Sequence, residues 1–211
     1  MERSYEEAAF WYGKAAEQGN AAANVCLANL YEEGSGVEQS YEKAAECFMR
    51  AAEQGDADAL YSLGRYYYYG TGVEKSLEKA VECFKAAAEK GCADSQHTLH
   101  LHYLNGEGVE QSDDKAFGWC KRAAEQRLPS ALCDLGYLYE NGIGCRASKK
   151  KAVGLYRKAA AKDNAVAQYN LGQCYCNGYG VERSCRKAAK WLRKAAEQGD
   201  ADAQGALGML Y

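Results

Sequence analysis

The sequence has almost no proline and no long apolar run. Its 211 residues contain one proline, Pro129, so helices can form almost anywhere along the chain. No apolar stretch approaches the roughly 20 residues that a membrane-spanning helix needs, and residues 1–13 lack the apolar core of a secretory signal peptide. The ten cysteines are then expected to be free thiols in the cytoplasm, although export of a longer parent protein stays open.

Histidines are also scarce, and this limits the chemistry that the chain can perform. The three are His97, His100 and His102, and none has an acidic partner in sequence that suggests catalysis. His97 and His100 are spaced i, i+3 on a predicted helix just after Cys92, so a metal site is an alternative to simple packing. Zinc-ligand spacing is not met. We expect no metal, no cofactor and no catalytic residue.

The charge is nearly balanced overall but unevenly distributed. A net charge of −3 provides no footprint for nucleic acid. Residues 1–105 hold 9 basic and 17 acidic residues, whereas residues 106–211 hold 17 and 12. We expect a protein or peptide partner, no nucleic acid and no membrane insertion. Self-association through the oppositely charged halves or through uncapped ends is an alternative.

Glycine is plentiful, and it recurs with a period of 36 residues. Leucine, tyrosine and a double alanine recur with the same step. This internal repetition indicates a stack of identical structural units. The Gly-x-Gly pairs begin at Gly34, Gly70, Gly106, Gly142 and Gly178.

Each period predicts two helices. In residues 56–91, Asp56 and Ser76 are candidate N-caps, the intervening Gly-x-Gly is a turn, and Gly91 ends the second helix. We call the helix before the Gly-x-Gly turn helix A and the helix with the double alanine helix B. Arg127 and Asp163 replace the glycine equivalent to Gly91, so those corners are expected to be looser or differently capped.

The period predicts one all-α solenoid of 36-residue helical hairpins over residues 1–211. Each hairpin buries its apolar face against its neighbours. The expected parts are a lone helix 4–18, repeats 20–55, 56–91, 92–127, 128–163 and 164–199, and a final partial repeat 200–211.

Glycines inside the predicted A helices indicate tight contacts. Glycine destabilises a helix by roughly 0.5–1 kcal/mol relative to alanine. Its repeated use predicts a crossing too close for a methyl group at Gly64, Gly136, Gly172 and Gly208.

The unit ADALYSLGRYYYYGTGVEKSLEKAVECFKAAAEKG, residues 57–91, resembles a Sel-1-like repeat, a relative of tetratricopeptide repeats. The same signature covers nearly the whole chain. The resemblance implies a right-handed α-α superhelix with a concave inner face formed by the A helices. It also implies a role as a protein–protein interaction scaffold or adaptor. A purely structural spacer within a longer protein is an alternative.

An enzymatic alternative comes from the motif S-x-x-K, which occurs at Ser76 and Lys79. It is the nucleophile motif of serine β-lactamases, and the resemblance implies weak β-lactamase or penicillin-binding activity in cysteine-rich family members. The motif recurs in four other repeats, whereas one active site needs one nucleophile. We therefore interpret Ser76 as a helix cap and expect no enzyme. The paired cysteines of those relatives are missing from residues 50–64.

Most of the cysteines are expected to be buried free thiols. Cys47 and Cys83 share one position of the repeat, which predicts small core side chains there. Elsewhere that position is filled by Trp11, Trp119, Leu155 and Trp191.

The predicted binding surface is a tyrosine-rich lane on the A helices, on the side left over when Leu63 and Tyr67 enter the core. Tyrosine offers a large contact area at small entropic loss, and a hydroxyl for hydrogen bonding. Lateral packing of the tyrosines is the alternative. The tyrosine-rich lane comprises Tyr61, Arg65, Tyr68, Tyr69, His97, Leu101, Asn105, Tyr137, Glu140, Asn141, Tyr169, Gln173 and Asn177.

Overall fold

The structure is a computed structural model that describes residues 4–210, and within them every regular element is an α-helix. The predicted all-α class and the helical hairpin repeats are therefore confirmed. None of these helices is long and apolar enough to cross a membrane. The twelve helices of the described residues are α1 (Tyr5–Glu17), α2 (Ala21–Glu33), α3 (Tyr41–Glu53), α4 (Ala57–Tyr69), α5 (Leu77–Glu89), α6 (Ala93–Asn105), α7 (Asp113–Glu125), α8 (Pro129–Asn141), α9 (Lys149–Ala160), α10 (Ala165–Asn177), α11 (Cys185–Glu197) and α12 (Ala201–Gly208).

The chain divides into two compact units, Met1–Glu110 and Gln111–Tyr211. Unit 1 contains α1–α6 and unit 2 contains α7–α12. Within each unit, every helix packs against the next one along the chain. The even-numbered helices are A helices and the odd-numbered ones are B helices. That residues 1–211 form one solenoid stays a prediction.

Side-chain caps start the helices where the sequence predicts them. Ser76 Oγ accepts a hydrogen bond from the Lys79 amide at 3.3 Å, and Asp56 Oδ1 accepts one from the Ala59 amide at 2.8 Å. Helices α6 and α8 have no such cap, but the first residue of α8 is Pro129, which has no amide hydrogen to satisfy. The single proline therefore lies at the position where a helix tolerates it best.

The two glycines of each Gly-x-Gly turn have different roles. Gly70 adopts the left-handed conformation, with φ +76°, and ends α4. Gly72 also has positive φ, and a methyl group there would overlap the backbone carbonyl of Tyr41, at the start of the preceding B helix. Gly144 meets Asp113 in the same way in unit 2. The second glycine thus permits the close stacking of successive repeats.

The predicted tight contacts of the A-helix glycines are confirmed at three positions. A methyl group on Gly64 would lie 2.5 Å from Phe84 Cε1, and one on Gly136 would lie 2.6 Å from Tyr156 Cε1. Gly172 meets Leu192 in the same way. The contact is with a large B-helix side chain. The prediction is wrong for Gly208, because a methyl group there would have no described atom within 4 Å.

Two further expectations need correction. Arg127 and Asp163 adopt the same left-handed conformation as the glycines they replace, with φ of 62° and 58°. The Arg127 corner is therefore not differently built, whereas α9, before Asp163, ends one residue earlier than the other B helices and is capped by Ala161. The cysteines are free, as expected, but only four of them are buried. Cys185 is exposed because it is the first residue of α11. Cys83 is half-buried, while Cys47 is buried.

Candidate functional site

In unit 1, the predicted lane forms a cleft between α4 and α6. Its volume is about 280 Å³. His97 is the one lane residue of unit 1 that does not line it, and its ring is stacked on that of His100. The lane residues that line the cleft are Tyr61, Arg65, Tyr68, Tyr69, Leu101 and Asn105.

The tyrosines of this cleft differ in how firmly they are held. Tyr68 donates a hydrogen bond to Glu107 Oε2 at 3.2 Å, and its ring meets that of Tyr69 edge-on, with centroids 4.9 Å apart. The bond to Glu107 raises the pKa of the Tyr68 hydroxyl, because the carboxylate accepts the proton that ionisation would remove. Burial raises the pKa of Tyr61. Tyr69 is 66% exposed, so its ring is available to a ligand.

Four residues outside the predicted lane complete the cleft: Phe84, Thr98, His102 and Glu107. Thr98 precedes Leu101 by three residues on α6, so helical spacing could have identified it. Phe84 belongs to a B helix and Glu107 to a turn. Their approach depends on tertiary packing, which no local pattern reports.

In unit 2, the lane residues lie on α8 and α10. Tyr137 is 50% exposed, and Gln173 Nε2 donates a hydrogen bond to the Tyr169 hydroxyl at 3.0 Å. Asn141 and Asn177 each use their amide nitrogen to bond a carbonyl four residues back, at 3.0 and 3.1 Å. Their amide oxygens remain as acceptors at the ends of the two helices.

The carboxylate of Glu140 is held in place by a hydrogen bond from the buried side chain of Tyr156. The Tyr156 hydroxyl donates a hydrogen bond to Glu140 Oε2 at 2.7 Å, and Tyr156 itself is fully buried. Burial, reinforced by Glu140, raises the pKa of Tyr156 far above its usual range. The carboxylate therefore has a fixed position at the edge of the unit-2 lane, where it can accept a hydrogen bond from a ligand.

The lysines of the S-x-x-K motifs have a role that the sequence analysis did not foresee. Lys79 Nζ lies 5.4 Å from the centroid of the Tyr67 ring, on the helix before its own. Lys43, Lys151 and Lys187 make the equivalent contact at 5.4, 4.8 and 5.5 Å. A cation over the face of an aromatic ring is attracted by the ring quadrupole. The motif thus combines a helix cap with a link between the two helices of a hairpin.

The thiols and histidines do not assemble a reactive centre. Burial raises the pKa of Cys83 to about 11 and those of Cys133 and Cys174 to about 12, so these thiols are protonated near neutral pH. Across residues 4–210, no three His, Cys, Asp or Glu side chains cluster as metal ligands would. His102 Nδ1 lies 2.8 Å from the Glu107 carbonyl oxygen, and His100 is buried.

Capped helical hairpins stacked at a constant period define a helical repeat protein. A scan against family models matches the Sel1 repeat at residues 1–20, 21–56, 57–92, 101–128, 129–164 and 165–200. The chain belongs to the Sel1 repeat family, whose members are generally protein–protein interaction scaffolds and typically non-catalytic.

Solved structures agree with this assignment. The protective antigen c5321 of uropathogenic Escherichia coli, which displays an SLR fold, is 34% identical with a TM-score of 0.95. The match covers 99% of this chain and 44% of that one, so the chain spans less than half of the E. coli protein. A Sel1 repeat protein from Oxalobacter formigenes is 30% identical with a TM-score of 0.85, over 98% of this chain and 87% of that one.

A third structure, Helicobacter pylori cysteine rich protein B, is 25% identical with a TM-score of 0.52. That match covers 63% of this chain and 98% of the other. A search of curated proteins found no match.

Proposed function

We propose that the chain is a non-enzymatic scaffold that binds a peptide segment of a partner protein through the tyrosine-rich lane. The observation that carries this proposal is the unit-1 cleft, where six of the seven lane residues of that unit line one concave space. These residues come from two helices of successive repeats, so the repeat itself creates the cleft.

The chemistry of the cleft suits a peptide. Tyr69 and Leu101 are exposed large side chains that can bury the apolar side chains of a ligand. Arg65 and Asn105 supply hydrogen-bond donors beside them, and Glu107 supplies an acceptor. A mixture of rigid aromatic surface and adaptable polar groups is typical of surfaces that recognise protein segments.

The unit-2 lane provides the same kinds of groups. Tyr137 offers an exposed ring, the Glu140 carboxylate is held in place by Tyr156, and Asn141 and Asn177 present amide oxygens. A peptide backbone has an N–H donor at nearly every residue, so these fixed acceptors can align it. Each unit therefore has its own candidate contact surface.

The variants Tyr69→Ala and Tyr137→Ala test binding against lateral packing. Both rings are at least half exposed, so their loss should shift the melting temperature by only about 1–2 °C. Capture of the partner from a cell extract should fall strongly in the double variant. Tyr66→Ala is the matched control, because Tyr66 is 4% exposed and its removal should destabilise the protein severely. A large loss of stability on removing Tyr69 or Tyr137 would favour packing instead.

The same experiment addresses the alternative of a structural spacer. A spacer has no partner that depends on the lane, so the double variant would then capture the same proteins as the wild type.

A further inference from the structure

A groove in unit 2 lies on the B-helix side, away from the tyrosine-rich lane. Its volume is about 770 Å³, and it lies between α7 and α9 with α8 beneath. Helix α8 contributes Leu132, Leu135 and Tyr139 to it, while Tyr137 is about half a helical turn away on the other face. Leu155 of α9 adds a further apolar surface. The floor is therefore apolar and separate from the proposed peptide site.

The rim of the groove is strongly cationic. The single acidic residue among its lining residues is Glu125. Within residues 4–210, none of the lysines and arginines that line the groove forms an ion pair. Unpaired cations beside an apolar floor favour an anionic ligand, because the floor lowers the local dielectric and strengthens the attraction. The rim cations, all exposed, are Lys121, Arg127, Lys151, Lys158 and Lys162.

The repeat register distinguishes the α8–α9 hairpin from the hairpins on either side of it. Leu155 stands where the equivalent positions of α7 and α11 have Trp119 and Trp191, which are much larger. Leu132 stands where α10 has Gln168, whose amide bonds the Ala160 carbonyl at 3.2 Å. The hairpin thus departs from its neighbours at two facing positions, and the changes make the groove wider and less polar.

Gly154 and Arg127 are two further residues of the lining. Gly154 precedes Leu155, and a methyl group there would have no described atom within 4 Å. Arg127 adopts positive φ, a conformation that non-glycine residues rarely adopt. Arg127 places a guanidinium at the end of the groove. Gly154 lies on α9, whereas Arg127 lies in the turn between α7 and α8.

We propose that this groove binds an acidic amphipathic helix of a second partner protein. Along α9 and the turn that follows it, the cationic rim runs from Lys151 to Lys162, eleven residues apart or roughly 16 Å, which is about the length of three helical turns. Cations of α7 and its C-terminal corner line the other side, so acidic residues on both flanks of a docked helix would be neutralised. Leucines spaced i, i+3 and i+7 on that helix would cover the apolar floor.

This proposal goes beyond binding through the lane, because it gives the scaffold a second surface. A partner on the lane and a helix in the groove would occupy opposite sides of α8. The chain could then hold two proteins at once.

The test uses isothermal titration calorimetry with the wild-type protein and two synthetic 16-residue amphipathic peptides. One is built of leucine and glutamate with leucines at i, i+3, i+4 and i+7, and the other has lysine in place of glutamate. The glutamate peptide should bind with micromolar affinity that weakens as salt is raised. The lysine peptide should not bind. Equal binding of both peptides would overturn the proposal.

The variant Leu155→Trp should fill the groove without disturbing the fold, because tryptophan is the native residue at that position in α7 and α11. Circular dichroism checks folding, and the affinity for the glutamate peptide should fall at least about tenfold, which is about 1.4 kcal/mol. Unchanged affinity in the folded variant would overturn the proposal. So would dimerisation of the wild type that Leu155→Trp abolishes, because the occupant would then be a second copy of the chain.

A pair of charge reversals separates the rim from the general charge of unit 2. Lys158→Glu with Lys162→Glu should weaken binding at least about tenfold. Lys190→Glu with Lys194→Glu, which change the net charge equally but lie on α11 outside the groove, should change it less than about twofold. Equal effects of the two pairs would show non-specific attraction and contradict the proposal. The control Tyr137→Ala should bind the glutamate peptide normally. The experiment therefore distinguishes a failure of the groove proposal from a failure of the proposed binding through the lane.

Discussion

At Gly64, the backbone of α4 lies against the ring of Phe84, and this contact recurs where Gly136 meets Tyr156 and Gly172 meets Leu192. In each case the helix accepts glycine so that a large B-helix side chain can fill the space above it. The glycine and the large side chain form a matched pair within each of these hairpins. Substitution of either should disturb the core.

Gly64→Ala should lower the free energy of unfolding by about 2 kcal/mol, because the added methyl group would overlap Phe84. Gly118→Ala is the matched control: Gly118 also lies within a helix, but a methyl group there would have no described atom within 4 Å. It should raise stability by about 0.5–1 kcal/mol. Urea denaturation followed by circular dichroism measures both, and a similar change in the two variants would contradict this account.

The same substitution, tyrosine to phenylalanine, is expected to have opposite effects on stability at two buried positions. The Tyr66 hydroxyl is buried without a hydrogen-bond partner in the described structure, whereas the Tyr156 hydroxyl bonds Glu140 at 2.7 Å. Tyr66→Phe should therefore be neutral or stabilising by up to about 1 kcal/mol, and Tyr156→Phe should lower stability by about 1–2 kcal/mol. Thermal melting of the two variants checks the signs. Equal losses would mean that the hydroxyls do not differ in this way.

Residue-level prediction from the sequence succeeded where the repeat supplied the information. The caps at Asp56 and Ser76 follow from residue type and position in the period. The environment of Tyr66 could not be predicted, since it depends on the rings of Tyr41 and Phe48, which belong to another helix.

At the scale of the helix, the S-x-x-K motif contributes a start signal and a link. Ser76 caps α5, and Lys79 reaches back to the Tyr67 ring of α4. The motif therefore couples the start of each B helix to the preceding A helix. The cap could be predicted from the sequence, but the contact between Lys79 and Tyr67 could not, because it depends on how the two helices of the hairpin pack.

Ser76→Ala should lower stability by about 1 kcal/mol, because the Lys79 amide loses its acceptor. Ser76→Asp should retain most of the wild-type stability, because aspartate also caps helices. Nitrocefin hydrolysis should not exceed the uncatalysed rate in the wild type or in either variant. Turnover by the wild type that Ser76→Ala abolishes would establish the hydrolase alternative and contradict the capping role.

At the scale of the whole molecule, a constant period of 36 residues generates helical hairpins whose differences create specific surfaces. The fold class could be predicted from the sequence because every repeat restates the same turn, cap and core signals. The lane could be predicted in part, since its A-helix members follow helical spacing. The groove of unit 2 could not, because its lining residues come from α7, α8 and α9 and are brought together only by tertiary packing.

The central claim is that the tyrosine-rich lane contacts a protein partner, and site-specific photo-crosslinking tests it most directly. A photoreactive phenylalanine analogue is placed at Tyr69 or Tyr137, and as controls at Tyr12 or Tyr179, which are exposed tyrosines outside the lane. After irradiation in cells, the lane positions should crosslink to the same protein, and the control positions should not. Crosslinks to that protein at the control positions alone, or equal crosslinking at all four, would contradict the account.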